Sequence, residues 1–228
     1  MNNSLLTTLS IFVIASILLM PTGLANASHI QTGSEIADEL YVDEQYVIRG
    51  GDGDDELYGD ITNDYLYGQD GDDQLFGDEG NDLLDGGLGS DELFGEDGAD
   101  TLRGGAGDDI LYGEAGDDTI RGQDGDDQLI GDIGNDDLFG GLGNDILQGD
   151  DGYDVLWGGF GNDVLYGGAS DDILYGETGD DELFGEDGND VLIGGAGINI
   201  LDGGDGIDEC HADSDDIVID CETIIDIL

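Results

Sequence analysis

The chain is 228 residues long, with 58 acidic residues against three arginines (Arg49, Arg103, Arg121) and no lysine, a formal net charge of −55. That balance excludes a nucleic-acid or anionic-lipid partner, because both need a cationic surface. Such a charge with few large apolar residues would ordinarily read as disorder, but 44 glycines without a collagen triplet and a single proline describe a chain of tight turns, and the acidity calls for a cation.

Residues 1–27 read as a secretory signal. An apolar run from Leu5 to Met20 leads to Pro21 and then Ala25-Asn26-Ala27, a small-residue cleavage pattern before Ser28. The run is short for a full membrane span, so cleavage is expected rather than a retained anchor, and the product is expected to be secreted. Residues 28–49 carry no repeat and read as an N-terminal cap or linker, covering the open end of the first coil of a solenoid. Ile36, Leu40, Tyr41, Tyr46, Val47 and Ile48 suit a short helix followed by a strand leading into Gly50. His29 stands alone and reads as a solvated residue.

From Gly50 to His211 one nine-residue unit is written eighteen times without insertion or deletion, Gly104-Gly105-Ala106-Gly107-Asp108-Asp109-Ile110-Leu111-Tyr112 being a clean copy. Place one is always Gly, and place four is Gly except at Thr62 and Ser170. Place six is Asp except at Asn199, and place eight is Leu or Ile except at Cys210. Glycines at places one and four are expected at positive φ, closing a six-residue turn. Places seven to nine are expected to form a short strand with only the eighth side chain inward. Two units then make one flattened coil, giving nine coils and a rod roughly 40 Å long at about 4.8 Å per coil. Turns of odd units stack along one edge and turns of even units along the other.

This stacking sets Asp55, Asp73, Asp91, Asp109, Asp127, Asp145, Asp163 and Asp181 in one column, and Asp64, Asp82, Asp100, Asp118, Asp136, Asp154, Asp172 and Asp190 in another. Bare carboxylates at that spacing repel by about 1 kcal/mol per neighbour in water, and a divalent cation between turns reverses the sign. The repeat resembles the RTX (hemolysin-type) calcium-binding nonapeptide family, over about seven tenths of the chain. The resemblance implies an all-β parallel β-roll, a solenoid in which each Ca²⁺ is held by two stacked turns through aspartates and glycine-loop carbonyls. The implied ligands are the sixteen aspartates just named. With them go the loop glycines Gly53, Gly71, Gly80, Gly89, Gly98, Gly107, Gly116, Gly125, Gly134, Gly143, Gly152, Gly161, Gly179 and Gly188. Hard oxygen donors in a flexible, crowded cage suit Ca²⁺ better than Mg²⁺, and the gaps along both edges would take up to about sixteen ions. The inward Leu/Ile column is thin for the chain it must order, so the chain is expected to be largely disordered until calcium binds. RTX proteins are typically exported through an uncleaved C-terminal signal. The N-terminal signal departs from that pattern and implies the general secretory route, with the repeats again outside the cytosol.

Turns lined by Thr62, Ser170 or Asn199 are expected to be weaker sites, with fraying first near Asn199. Gln69 to Leu75 recurs intact as Gln123 to Leu129, an offset of three whole coils that preserves the edge each turn occupies. Place-nine residues point outward. On odd units Tyr58, Phe76, Phe94, Tyr112, Ile130, Gln148, Tyr166 and Phe184 form a nearly continuous aromatic ladder. The opposite column is broken by Asp85, Arg103 and Arg121, then turns apolar at Phe139, Trp157, Tyr175 and Ile193, beside Val155, Ile173 and Val191. Such stacks support parallel strands, or offer a strip for self-association or for docking on a cell-surface component.

Cys210 and Cys221 are the only cysteines and, in an exported chain, are expected to form a disulfide closing a hairpin over the last coil. Two cysteines and His211 are too few for a closed zinc site. Ile217-Val218-Ile219 reads as a final strand, and Ile224, Ile225, Ile227 and Leu228 as a cover for the apolar end, making residues 212–228 a C-terminal cap. No helix can follow the glycines within nine residues, so a dinucleotide fingerprint and an EF-hand are both excluded. Two histidines and no nucleophile elbow leave nothing resembling a triad. The sequence therefore describes a secreted calcium-binding rod with no catalytic machinery and no small-molecule substrate, structural or surface-associated in role. A calcium-dependent adhesion module using the aromatic ladder is the alternative.

Overall fold

The computed structural model describes residues 29–32, 39–41 and 46–226. The expected signal segment and its cleavage point lie outside them, as do Ile36, Ile227 and Leu228. The described chain is a parallel β-solenoid: two 12-stranded sheets, each built from alternate strands, lie back to back. One, here sheet 1, runs from His29–Thr32 and Tyr46–Asp52 through Tyr65–Asp70 and every second strand to Glu209–Ala212 and Thr223–Asp226. Sheet 2 runs from Glu39–Tyr41 and Glu56–Tyr58 to Ile200–Asp202 and Ile217–Ile219. All the pairings are parallel, and within the repeats each residue sits beside its equivalent two units on, as in Leu93 with Leu111 and Leu138 with Leu156. The parallel β-roll and the two-unit coil read from the sequence are both present.

The core is a single file. Ile48 and every place-eight residue from Leu57 to Leu201, followed by Cys210, are fully buried. A strand such as Glu92–Asp97 spans six residues, not the expected three. It contains places seven to nine and continues through the first three places of the next unit, with burial alternating along it. The place-one glycine therefore faces inward as well, next to the leucine file. The turn shrinks to three residues, Gly98-Ala99-Asp100.

Place-one glycines do not adopt the positive φ expected of them. The left-handed residues are at places two and four, including side-chain-bearing Glu96 (φ 72), Glu114 (φ 70) and Glu177 (φ 71) at place two. Place four carries the positive φ expected of glycine in a tight turn, for example Gly107 at 131 and Gly143 at 137.

The two place-four substitutions behave differently. Ser170 keeps the left-handed backbone (φ 91), and the flanking strands Val164–Ala169 and Ile173–Thr178 stay at six residues. A β-branched residue does not tolerate that region, and the turn at Thr62 is rebuilt. Asp60 Oδ1 accepts from the Thr62 amide (2.9 Å) and hydroxyl (3.0 Å), and the strands Glu56–Tyr58 and Gln74–Phe76 remain at three residues.

Both ends continue the solenoid. Leu40 and Tyr41 lie in a strand beside Leu57 and Tyr58. At the other end Cys210 and Cys221 are disulfide-bonded as expected, Cys210 occupying an inward core place. The bridge closes no hairpin: Glu209–Ala212 and Thr223–Asp226 are parallel neighbours, with Ile217–Ile219 passing through the opposite sheet between them. Ile224, beside the inward Cys210, lies in the last strand of sheet 1 and is 61 % exposed.

Candidate metal centre

Every place-six side chain is buried, Asp55 through Asp208 and Asn199 included, in a molecule with almost no cationic partners. Burying an isolated carboxylate is costly unless it is hydrogen-bonded or paired. Half of that requirement is met within the protein. Oδ1 of each aspartate from Asp73 onward accepts the amide N–H of the equivalent residue one coil earlier, for example from Asp91 to Asp109 (2.8 Å), Asp100 to Asp118 (2.7 Å) and Asp145 to Asp163 (2.8 Å). The bonds form two uninterrupted ladders, one per edge. The two expected columns are thus brought together with the expected spacing, and a backbone hydrogen bond joins neighbours that charge alone would push apart.

The other half is not met. Oδ2 of Asp73, Asp82, Asp91 and each later place-six aspartate through Asp208 has neither solvent nor a hydrogen-bond partner. A buried unpaired polar atom is rare enough that each one requires an explanation; here the same atom is left open turn after turn. Place-one glycine shows where it points. A Cβ added to Gly77 would sit 2.6 Å from Asp82 Oδ2 and 2.6 Å from the Gly95 carbonyl oxygen of the next coil. The carboxylate of one turn and the carbonyl of the next thus face one small space that a methyl group would fill. This accounts for the invariant glycine where positive φ does not.

Among the described residues, no three acidic, histidine or cysteine side chains converge. A cation fitting this cradle would draw on few side chains and otherwise on backbone oxygen, the donor set of a hard cation such as Ca²⁺. The expected loop glycines at place four lie against the other carboxylate oxygen: a Cβ on Gly80 would lie 2.9 Å from Asp82 Oδ1 and 2.8 Å from the Thr62 carbonyl oxygen of the preceding coil.

The electrostatics are set by burial. Loss of solvent pushes the Asp172 carboxyl up to about 8; the Asp154 amide pulls it down, and the charges of Asp154 and Asp190 push it further up. Asp82, Asp91, Asp109, Asp118, Asp136 and Asp145 are raised to about 7 by the same leading cause. Asp73, Asp100, Asp127, Asp154, Asp163, Asp181 and Asp190 are raised to about 6. Burial thus makes ionisation harder in both columns than for a solvated carboxyl, and a nearby divalent cation acts in the opposite direction.

The irregular turns depart as their residues require. At the Thr62 turn, Asp64 Oδ2 accepts the Asp60 amide at 2.9 Å, so a local loop contact takes the oxygen that elsewhere stays open. Asn199 keeps the ladder, its Oδ1 accepting from Asp181 at 3.0 Å, but presents a buried, unpartnered Nδ2 to the cradle. A donor stands there in place of an acceptor.

A second ladder was missed in the sequence. Place-five Asp and Asn side chains on the exposed shoulder of each turn accept from the following coil: Ser90 to Asp72 (2.8 Å), Asn144 to Asp126 (2.7 Å), Asp180 to Asn162 (2.9 Å). It runs opposite to the buried ladder, which accepts from the preceding coil. Its signal was the prevalence of Asp and Asn at place five, hidden because Ser90, Ala99, Tyr153, Ile198 and Ile207 depart from it.

On the outer faces the aromatic ladder stacks from Tyr58 through Phe76 and Phe94 to Tyr112, with ring centroids 4.8, 4.9 and 5.0 Å apart. It lapses at Ile130 and Gln148 and resumes at Tyr166 and Phe184 (5.1 Å). On sheet 1, Phe139, Trp157 and Tyr175 stack. All three arginines lie in that same column: Arg49 over Tyr67, Arg121 over Phe139, and Arg103 paired with Asp85 at 3.8 Å. His211 pairs with Glu209 (2.6 Å), apart from any metal cradle.

A family model described as the RTX calcium-binding nonapeptide repeat (4 copies) matches in overlapping windows from residue 49 to residue 210. No curated protein sequence matches the chain. Among solved structures it is similar to the extracellular lipase LipA from Serratia marcescens, with 24% sequence identity over 60% of this chain and 33% of that one and a TM-score of 0.26. The chain thus spans about a third of the lipase's length.

Proposed function

The chain belongs to the RTX calcium-binding nonapeptide repeat family, and we propose that it is a secreted, structural calcium-binding rod whose folding is coupled to the ion. RTX repeats imply calcium binding in a β-roll. The finer assignment concerns which atoms of this chain do it. Place-six aspartates from Asp73 to Asp190, Asn199 excepted, hold the ion through Oδ2, and the place-one carbonyl of the next coil faces them across the same cradle. Asp55 and Asp64 extend the two columns, Asp64 as the weaker member. Place-four glycines let the turn fold tightly enough to bring the oxygens in.

The single observation that carries this reading is the repeated open Oδ2: a buried acceptor in each regular turn, close to a backbone carbonyl oxygen of the next coil. A bound Ca²⁺ supplies the positive charge that the chain lacks. The protein's part is to orient each carboxylate through the Oδ1 ladder, to exclude water by burial, and to place successive turns so that an ion between them joins one coil to the next. Export is inferred from the signal-like residues 1–27 and suits a site that needs millimolar free calcium. The lipase activity belongs to LipA and is not carried over; the buried carboxylates here are engaged in the ladder.

Calorimetric titration with calcium, followed in parallel by far-UV circular dichroism, tests the proposal. Binding heat and β signal should rise together. A full β spectrum in EGTA that calcium leaves unchanged would defeat the coupling, and an absence of binding heat would defeat the assignment itself.

A second reading, calcium-dependent docking, is favoured by one region. On sheet 1, Leu142 (49 % exposed) and Phe160 (61 % exposed) extend the strip of Phe139, Trp157 and Tyr175 across the strand. Sedimentation in calcium at increasing protein concentration separates the readings: a monomer throughout removes self-association through this strip.

A further inference from the structure

We infer that the C-terminal cap completes one more cation site, outside the repeats, between the Asp208 turn and residues 220–222. The inference rests on reading the repeat cradles as calcium sites. Asp208 is the last place-six aspartate, 1% exposed, and its Oδ1 accepts from Asp190 at 2.9 Å while Oδ2 has no partner. In the repeats, the second wall of the cradle is the place-one glycine carbonyl of the following coil. Beyond Asp208 no such unit exists. A Cβ on Gly203 would nonetheless lie 2.7 Å from Asp208 Oδ2 and 2.5 Å from the Asp220 carbonyl oxygen, so the cap supplies a carbonyl where glycine supplied it before.

One more feature of the repeat is reproduced by an unrelated residue. Glu222 Oε2 accepts the Asp208 amide at 2.9 Å, standing in for the next place-six carboxylate at a separation of 14 residues instead of 18. Cys221, between Asp220 and Glu222, is bonded to Cys210 in the core file, so the disulfide pins the shortened segment against the turn it completes.

The other edge ends without such a site and serves as an internal control. Asn199 donates its amide to Asp216 Oδ1 (2.8 Å), and Asp216 Oδ2 accepts from Asp213 (2.7 Å). Both oxygens of that capping carboxylate are taken by amides, and Asn199 turns a donor toward the cradle.

The test is a count of bound calcium at saturation by equilibrium dialysis with radiocalcium, on the full disulfide-bonded chain and four variants. Asp208→Asn should bind one ion fewer than the parent, and Glu222→Gln, which keeps an oxygen for the Asp208 amide, should bind the parental number. Asp216→Asn should bind the parental number, and the repeat variant Asp145→Asn should lose one. If Asp145→Asn loses an ion while Asp208→Asn does not, the cap site is refuted and the repeat sites stand. If Asp216→Asn loses as much as Asp208→Asn, the loss reflects melting of the cap and the site is refuted. A parent that binds no calcium overturns both readings. As a second measurement, reducing the disulfide of the parent should also remove one ion, and no change on reduction would overturn the pinning role of the bridge.

Discussion

The turn around Asp145 and the turn around Asn199 are built on one plan and differ in the character of one atom. In each, Oδ1 accepts an amide from the preceding coil, at 2.9 and 3.0 Å. In each, the remaining side-chain atom is buried beside a place-one glycine, Gly140 or Gly194. At Asp145 that atom is an acceptor bearing charge; at Asn199 it is a neutral donor. Because the ladder survives the exchange, stacking the coils and holding the cation are separable duties of the same side chain. The solenoid's shape therefore does not require every place six to be ionised, whereas its charge balance depends on how many are.

The largest effect expected from this separation is removal of calcium at neutral pH. With one buried carboxylate per regular turn left without its ion, EGTA should abolish most of the β signal in far-UV circular dichroism; a spectrum that persists would mean the ladder alone sustains the rod. Next comes pH in the absence of metal. The folded-state carboxyls titrate at about 6 to 8 against a reference of 3.8, so the folded chain favours the protonated form. Their contribution to stability is thus fully present below the unfolded value and is lost as the pH rises through the folded ones. The metal-free chain should be most ordered near pH 4 and should melt between about pH 6 and 8, the opposite of ordinary acid denaturation. A metal-free β signal that strengthens towards alkaline pH would contradict this.

Smaller effects separate the two turns directly. Gly140→Ala should lower stability in calcium by about 1–3 kcal/mol through crowding and should also weaken calcium binding, because its Cβ would collide with Asp145 Oδ2 and the Gly158 carbonyl. Gly194→Ala meets Asn199 Nδ2 instead and should cost stability with no loss of bound ions; thermal melts with and without excess calcium distinguish the pair. Asn199→Asp should add one ion and slow amide hydrogen exchange over the last coils, measured by mass spectrometry, and unaltered exchange there would mean the end is limited by something other than this turn. The least effect is expected outside the turns: Arg103→Ala removes a half-exposed pair with Asp85 and should cost about 0–1 kcal/mol, an amount that salt diminishes.

The repeat period alone determined the two-unit coil, the parallel sheets, the leucine file and the two aspartate columns, because side-chain alternation along a strand and an unbroken nine-residue spacing leave no other register that buries every place-eight residue. Cys210 with Cys221 was legible for a similar reason, an inward core place paired with the only other cysteine. What the sequence could not settle were properties of neighbouring coils. That place-one glycine is required by a carboxylate and a carbonyl from two different coils, that Oδ1 is taken while Oδ2 is left open, and that place five makes a counter-running ladder all depend on atoms 18 residues apart meeting in space. Thr62 and Ser170 are equivalent substitutions on paper, yet only the β-branched one rebuilds its turn. Asp220 and Glu222 obey no period at all; they acquire the roles of a glycine and an aspartate because the end of the rod places them where the next coil would have been.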